Sequence, residues 1–133
     1  MSHILPGLRF ARLWVVLGVV LLLIIVAGCL LPGQDIPDIV GSDKLKHAVA
    51  FGLLAFWFGS IVLRADLRWV AAAAVALGAL IEVLQGVMGL GRDPEWLDLA
   101  ADALGVLLGV LLVLTPLGQW PRWFEALAAR AGR

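Results

Sequence analysis

The sequence predicts an all-α integral membrane protein, a four-helix bundle with both termini in the cytoplasm and a short amphipathic C-terminal tail. Hydrophobic residues make up 62% of the chain and charged residues 15%, against about 25% charged residues in soluble proteins. With a mean hydropathy of +1.02, it has too few polar residues to cover a water-facing surface. The 133 residues form one domain, 1–133, whose four helix-length apolar stretches are 13–31, 43–63, 67–89 and 94–114.

The first stretch, 13–31, contains 19 residues without a charge and is followed by Pro32-Gly33. That length crosses a hydrocarbon core of about 30 Å, and Pro-Gly is a strong helix stop. Near its end, Val26-Ala27-Gly28-Cys29 is similar to the cleavage site of a bacterial lipoprotein. Cleavage there would leave three spans with lipid on Cys29, and an uncleaved chain with four spans is the alternative. Cys29 is the lone cysteine, so the sequence excludes an intramolecular disulfide.

The second stretch, 43–63, follows Ser42, whose hydroxyl suits a helix N-cap. Its first turn contains four ionisable residues, Asp43, Lys44, Lys46 and His47. The remainder is apolar, so we expect the polar turn at the membrane surface and the rest inside the bilayer.

The third and fourth stretches are bounded by turn and capping residues. The tight turn Arg64-Ala65-Asp66 precedes 67–89, which ends at Gly89-Leu90-Gly91-Arg92. In Asp93-Pro94-Glu95 we expect an Asp N-cap, Pro at the first helical position and an acid in the first turn. The fourth helix is therefore predicted to begin at Pro94, and Pro116 and Gly118 end it.

The C-terminal tail, 120–133, has the pattern of an amphipathic helix lying on the membrane surface. Its apolar face contains Trp120, Trp123, Phe124 and Leu127. The polar residues Arg122, Glu125, Arg130 and Arg133 lie elsewhere around the helix. A frayed terminus is the alternative.

The basic residues predict the orientation in the membrane. Four spans place both termini on one side, together with the second connection, and these segments hold seven of the ten basic residues. The opposite side holds Lys44, Lys46 and Arg92. The positive-inside rule therefore predicts a multi-pass membrane protein with cytoplasmic N- and C-termini and with these three residues outside.

Two stripes of polar and small residues mark the candidate site. Helical spacing places Gly78, Glu82, Gln85 and Gly89 on one face of the third helix. The same spacing aligns Asp98, Asp102, Gly105 and Gly109 on the fourth. The pattern Gly105-x-x-x-Gly109 is typical of closely packed membrane helices, so we expect these two glycines to serve helix packing.

The predicted site is a polar pocket in the outer third of the bilayer, which opens to the outer leaflet. A carboxylate inside a membrane costs on the order of 3 kcal/mol, so residues such as Glu82 and Asp102 usually have a function. The alternative is a structural ion network in which Glu82, Asp98 and Asp102 balance Lys44, Arg92 and protonated His47.

These same residues resemble a known family. The segments DKLKHAVAFGLLAF, ALIEVLQ and GRDPEWLDLAADALGVLLGVLL are similar to the VanZ-like family of small bacterial membrane proteins. The resemblance covers roughly residues 42–112, and the first helix matches only by position. The matching positions are Asp43, Lys44, His47, Glu82, Gln85, Gly91, Arg92, Asp98, Gly105 and Gly109. Phe51 stands where the family usually has Tyr, and Asp102 where it usually has Asn.

The resemblance implies a cell-envelope protein of the bacterial plasma (inner) membrane and supplies no reaction. The family's namesake is linked to low-level resistance to the lipoglycopeptide teicoplanin. Expected partners are therefore membrane lipids, and with them a lipid-linked cell-wall precursor or a lipoglycopeptide. The formal net charge is zero, so the protein lacks the excess of basic residues that is typical of nucleic-acid-binding proteins.

Two classes of function fit the polar residues. A binding protein would hold its ligand through Lys44, His47, Glu82, Gln85, Arg92 and Asp98. An intramembrane enzyme acting on a lipid headgroup would use His47, Glu82, Asp98 and Asp102 as catalytic groups, with Glu82 or Asp98 orienting His47. Binding leads, because the sequence contains no nucleophile elbow, phosphate loop or cofactor fingerprint.

A metal site is the weaker alternative. Glu82, Asp98, Asp102 and His47 are chemically suitable ligands for a divalent ion. Because no recognised metal-ligand spacing is present, we expect neither a metal nor a cofactor.

Overall fold

The computed structural model describes residues 3–30, 43–88 and 95–132. Within these ranges the protein is all-helical, with an isolated bridge between Ile4 and Val62 as its one β-type pairing. The five α-helices are α1 (Ala11–Leu30), α2 (Asp43–Ile61), α3 (Leu67–Met88), α4 (Trp96–Leu114) and α5 (Trp120–Ala131). Short 3-10 helices at Arg64–Asp66 and Pro116–Gln119 connect α2 to α3 and α4 to α5.

Three helical segments are long and apolar enough to cross a membrane: Ala11–Leu30, Arg64–Met88 and Trp96–Leu114. Among the described helices α2 is of similar length but less apolar, because its first turn carries Asp43, Lys44 and Lys46. The structure thus fits a membrane protein, and the fourth span, through α2, stays a prediction.

Helix α2 lies at the centre of the packing and has its most extensive contacts with α4. The close approach depends on glycines of α4: a Cβ added to Gly105 would lie 2.1 Å from the carbonyl oxygen of Ala48. One added to Gly109 would lie 2.3 Å from that of Gly52. A side chain at either position would push the two backbones apart.

The apolar core lies below these contacts, where α1, α2, α3 and α4 meet. Its fully buried side chains include Phe51 and Ala55 of α2, Ile81 of α3 and Val106 of α4. Many other Leu and Val side chains are exposed around the helices, as expected when the surroundings are lipid rather than water.

The start of the fourth helix differs from the prediction. Helix α4 begins at Trp96, and Glu95 with extended backbone angles holds the N-cap position. The amide of Glu95 donates to Glu82 Oε2 at 2.9 Å, and its carboxylate pairs with Lys44. These contacts with α3 and α2 hold Glu95 outside the helix. The predicted N-cap Asp93 and first residue Pro94 lie outside the described residues.

The C-terminal tail forms a helix, but Glu125 lies on its inner face. Trp123, Phe124 and Leu127 are exposed, whereas Glu125 is buried. Its carboxylate accepts hydrogen bonds from the amides of Arg9 and Phe10, at 2.8 and 3.0 Å, and from Trp14 Nε1 at 2.9 Å. Glu125 therefore satisfies free amides at the start of α1 and ties α5 to α1.

Candidate functional site

Polar side chains from three helices meet at one end of the protein. Lys44 and His47 come from the first turns of α2, and Asp98 and Asp102 from those of α4. Glu82 and Gln85 come from the last turns of α3. All of them except Lys44 are buried. The two polar stripes predicted from helical spacing thus face the protein interior.

His47 and Asp102 form a fully buried pair. His47 Nδ1 lies 2.9 Å from Asp102 Oδ1, with 3% and 0% of the two side chains exposed. An ionised carboxylate can only accept, so Nδ1 carries the hydrogen and donates it, and Nε2 of a neutral imidazole keeps its lone pair. The acid that orients His47 is therefore Asp102. The sequence had suggested Glu82 or Asp98 for this role. The ring of His47 stacks in parallel with that of Phe51.

Several buried polar atoms at this end have no hydrogen-bond partner among the described residues. They are His47 Nε2, Glu82 Oε1, Asp98 Oδ1 and Asp102 Oδ2. An unsatisfied buried polar group costs on the order of 1–3 kcal/mol, so native proteins retain few of them. Four such atoms at one end concentrate unused hydrogen-bonding capacity there.

Glu82 and Gln85 each form one hydrogen bond that connects neighbouring parts of the fold. Glu82 Oε2 accepts from the Glu95 amide, as described, and Gln85 Nε2 donates to the carbonyl oxygen of Cys29 at 2.8 Å. The Gln85 bond fastens α3 to the end of α1. The Glu82 carboxylate still has one oxygen without a hydrogen bond among the described residues, and the Gln85 amide nitrogen donates one of its two hydrogens to Cys29.

Lys44 is neutralised by acids. Its ammonium nitrogen pairs with Glu95 and lies 3.4 Å from Asp98 Oδ1. Among the described residues this end holds two lysines, Lys44 and Lys46, against the five acids Asp43, Glu82, Glu95, Asp98 and Asp102. Acids therefore outnumber bases, so the site is better suited to a positive charge than to a free anion.

A small cavity of about 190 Å³ opens beside this cluster, between the end of α1 and the start of α2. Its walls combine Ile25 and Cys29 of α1 with Asp43, Lys46 and His47 of α2. A space of this size holds several water molecules or one small polar group, since a water occupies about 30 Å³ in the liquid.

Gly78 lies directly against the buried pair. A Cβ at this position would lie 2.5 Å from Asp102 Oδ2. Because Asp102 is fully buried, its carboxylate has little room to move away. The absence of a side chain at Gly78 thus sets the position of Asp102, and through it that of His47.

One group of side chains lies close enough together that it could hold a metal ion, although the sequence led us to expect none. Ligand atoms of Asp43, His47 and Asp98 all lie within 4.8 Å of one another. This group differs from the set Glu82, Asp98, Asp102 and His47 weighed above. Asp43 precedes His47 by four residues, and that spacing on one helix face was the signal available in the sequence.

Three predicted positions, Gly89, Gly91 and Arg92, lie outside the described residues. The ligand-binding role predicted for Arg92 stays a prediction. Glu125 is a buried acid that the sequence reasoning placed only among the polar residues away from the apolar face of the tail.

No family model, curated protein or solved structure matches the chain. The resemblance to the VanZ-like family therefore carries no structural or functional assignment at this point.

Proposed function

We propose that the protein is an integral membrane protein of the bacterial cell envelope, whose polar end binds the headgroup of a lipid-linked or amphipathic envelope molecule. In this proposal both termini are cytoplasmic, α2 is the fourth span of a four-helix bundle, and the polar end opens to the outer leaflet. The charge asymmetry between the two sides supports this orientation.

The observation that carries the proposal is a set of four buried polar atoms that make no hydrogen bond to the described residues, one of them on His47, which lines the cavity. Polar groups inside a membrane are expensive and usually mark a binding or transport site. Close helix packing is already supplied by Gly105 and Gly109, so the acids are not needed for it. A ligand headgroup in the cavity of about 190 Å³ would lie against Asp43, Lys46 and His47.

The proposed ligand has a polar headgroup and an apolar tail. One small polar group of the headgroup would enter the cavity between α1 and α2, while the tail lies along the exposed Leu and Val side chains that face the lipid. Lipid-linked cell-wall precursors and lipoglycopeptides both have this form. Sequestering such a molecule in the outer leaflet would change susceptibility to glycopeptide antibiotics, which agrees with the resemblance to the VanZ-like family.

Native mass spectrometry of the full chain, extracted from its own membrane in mild detergent, tests this proposal. We expect a retained lipid or lipid-linked adduct in the wild type and its loss in His47→Gln. Asp66→Asn is the matched control, because Asp66 also pairs with a histidine, His3, but through the connection between α2 and α3. A wild-type spectrum without a specific adduct, or equal retention in all three proteins, would overturn the proposal.

The second candidate is an intramembrane enzyme that acts on a lipid headgroup by acid/base chemistry, and the Asp102–His47 pair favours it. With Nδ1 held by Asp102, Nε2 is available as a general base toward the substrate. Incubation with labelled lipid precursor separates the two candidates: a changed product that requires His47 supports the enzyme, and a ligand recovered unchanged supports binding.

A further inference from the structure

We propose that Asp43, His47 and Asp98 bind a divalent metal ion such as Zn²⁺ or Mn²⁺ at the polar end. The inference rests on the proposed function for the role of the ion, which would hold the anionic headgroup of the ligand. The binding of the ion itself is independent of any lipid and is measured without one.

The geometry of the three side chains supports a shared ion. Their ligand atoms lie within 4.8 Å of one another, and two oxygens on one Zn²⁺ are separated by at most about 4.4 Å, twice a Zn–O distance of about 2.2 Å. Small side-chain rotations therefore bring all three onto one ion. A helix N-terminus with nearby acids would not by itself indicate a metal, because exposed acids commonly occur there.

His47 supplies the second and independent observation. The residue is 2% exposed, and its Nε2 has no hydrogen-bond partner among the described residues. Asp102 accepts from the opposite nitrogen of the ring. A carboxylate that accepts from one imidazole nitrogen and so fixes the other as a ligand is the usual arrangement around protein-bound metals. Asp98 Oδ1 is also buried without a hydrogen bond, although the Lys44 ammonium nitrogen lies 3.4 Å away.

The excess of acidic over basic side chains at this end favours the binding of a cation. Five acids outnumber two lysines at this end among the described residues, and a divalent ion would offset most of that excess. Lys44 does not block the site, because its ammonium group stays paired with Glu95 when Asp98 turns to the metal. The imidazole nitrogen favours Zn²⁺ over Ca²⁺ and Mg²⁺, which prefer oxygen ligands, and the two carboxylates also suit Mn²⁺.

The ion also resolves a difficulty in the binding proposal. A lipid-linked precursor carries phosphate groups, and an acid-rich pocket repels them. A metal with three protein ligands keeps open coordination positions, which phosphate or pyrophosphate oxygens can fill. The acids would thus bind the metal ion, and its positive charge would attract the phosphate groups of the ligand.

Titration of the detergent-purified, chelator-stripped full chain with ZnCl₂ by calorimetry and with MnCl₂ by electron paramagnetic resonance tests the site. We expect one saturable ion per chain in the wild type, and loss of binding in D43N, H47Q and D98N. D102N retains the three ligands but loses the group that positions His47, so we expect affinity lower by about 10–100-fold. D66N is the matched control and binds like the wild type.

Two results overturn the inference: no saturable binding by the wild type, or binding that survives in D43N and D98N. D43N guards against misfolding, because Asp43 is only half-buried and its substitution disturbs the core least. Nitrogen coupling to bound Mn²⁺ in the wild-type echo spectrum, absent in H47Q, identifies the imidazole ligand directly. If the protein retains the lipid but binds no metal, only the metal site is rejected. If it binds the metal but retains no lipid, only the proposed function is rejected.

Discussion

At the residue scale, the position of Asp102 depends on the missing side chain of Gly78. The Asp102 carboxylate is fully buried and holds His47, and a Cβ at Gly78 would overlap its free oxygen. We therefore expect Gly78→Ala to displace the carboxylate and to impair lipid retention and metal binding, although it removes no polar group. Gly28→Ala controls for stability alone, since a Cβ there has no atom within 4 Å among the described residues. Because Gly28 lines the cavity, the control for ligand binding is Gly132→Ala, where a Cβ would lie 3.7 Å from the Ala128 carbonyl oxygen.

Native mass spectrometry and Zn²⁺ titration measure this effect, with the unfolding curve of each variant as the reference. An expected loss is at least several-fold in affinity, with helical content retained. Unchanged ligand binding in Gly78→Ala would show that Asp102 does not depend on that space.

Helical spacing predicted which residues of α3 and α4 turn inward, because spacing alone fixes the face on which a residue lies. It could not predict the partner of His47. That partner depends on how α2 crosses α4, and two acids one turn apart, Asp98 and Asp102, are equally plausible before the crossing is known. The metal-ligand role proposed for Asp43 was not predicted for the same reason, since its use with Asp98 requires a contact between helices.

At the element scale, helices α2 and α4 pack so closely that their backbones are in direct contact. A methyl group at Gly105 would lie 2.1 Å from the Ala48 carbonyl oxygen, which cannot move without its helix. We expect Gly105→Ala to lower the free energy of unfolding by about 1–3 kcal/mol, the usual cost of overpacking. Denaturation in mixed micelles measures the change, and equal stability of Gly105→Ala and Gly28→Ala would contradict the packing described.

The contact of α5 with α1 depends on the ionised form of Glu125. Burial raises the pKa of this carboxyl group, but hydrogen bonds from the Phe10 and Arg9 amides and from Trp14 outweigh that effect, so its pKa lies below the ordinary value of 4.5. The folded state thus favours the charged form. Glu125 therefore stabilises the fold above pH 4.5, and this contribution falls as the pH drops through its lowered pKa.

Glu125→Gln tests this pH dependence. We expect the variant to be less stable than the wild type at neutral pH, and the difference in melting temperature to shrink below pH 4.5 as the wild-type carboxylate protonates. Melting curves of both proteins between about pH 3 and 7 measure it. A difference that stays constant over this range would contradict the contribution of the charge.

Element boundaries were largely predictable, because Pro, Gly and polar turns surround each apolar stretch. The start of α4 was not, since Glu95 is held outside the helix by Glu82 and Lys44 from other helices. The inward orientation of the Glu125 side chain could not be predicted either. Its partners lie more than 100 positions earlier in the chain, and the amphipathic pattern of α5 gives no sign of them.

At the scale of the whole molecule, the proposal predicts a defined orientation. In a Cys29→Ser background, a cysteine at the exposed Trp96 should react with a membrane-impermeant maleimide in intact cells. A cysteine at the exposed Arg130 should react only after permeabilisation. This result is expected because seven of the ten basic residues lie on the side that contains Arg130. The reverse labelling pattern would reject an outward-facing polar end.

The central claim is that the buried acids form a ligand site and are not structural glue. The most direct measurement is the unfolding free energy of Glu82→Gln and Asp98→Asn in the absence of ligand. Gln keeps an oxygen for the Glu95 amide, and both variants remove buried charge. The account predicts changes within about 1 kcal/mol or a gain in stability, as is usual when functional polar groups are removed. A loss of about 3–5 kcal/mol in both variants, the cost of breaking a structural ion network, would contradict it.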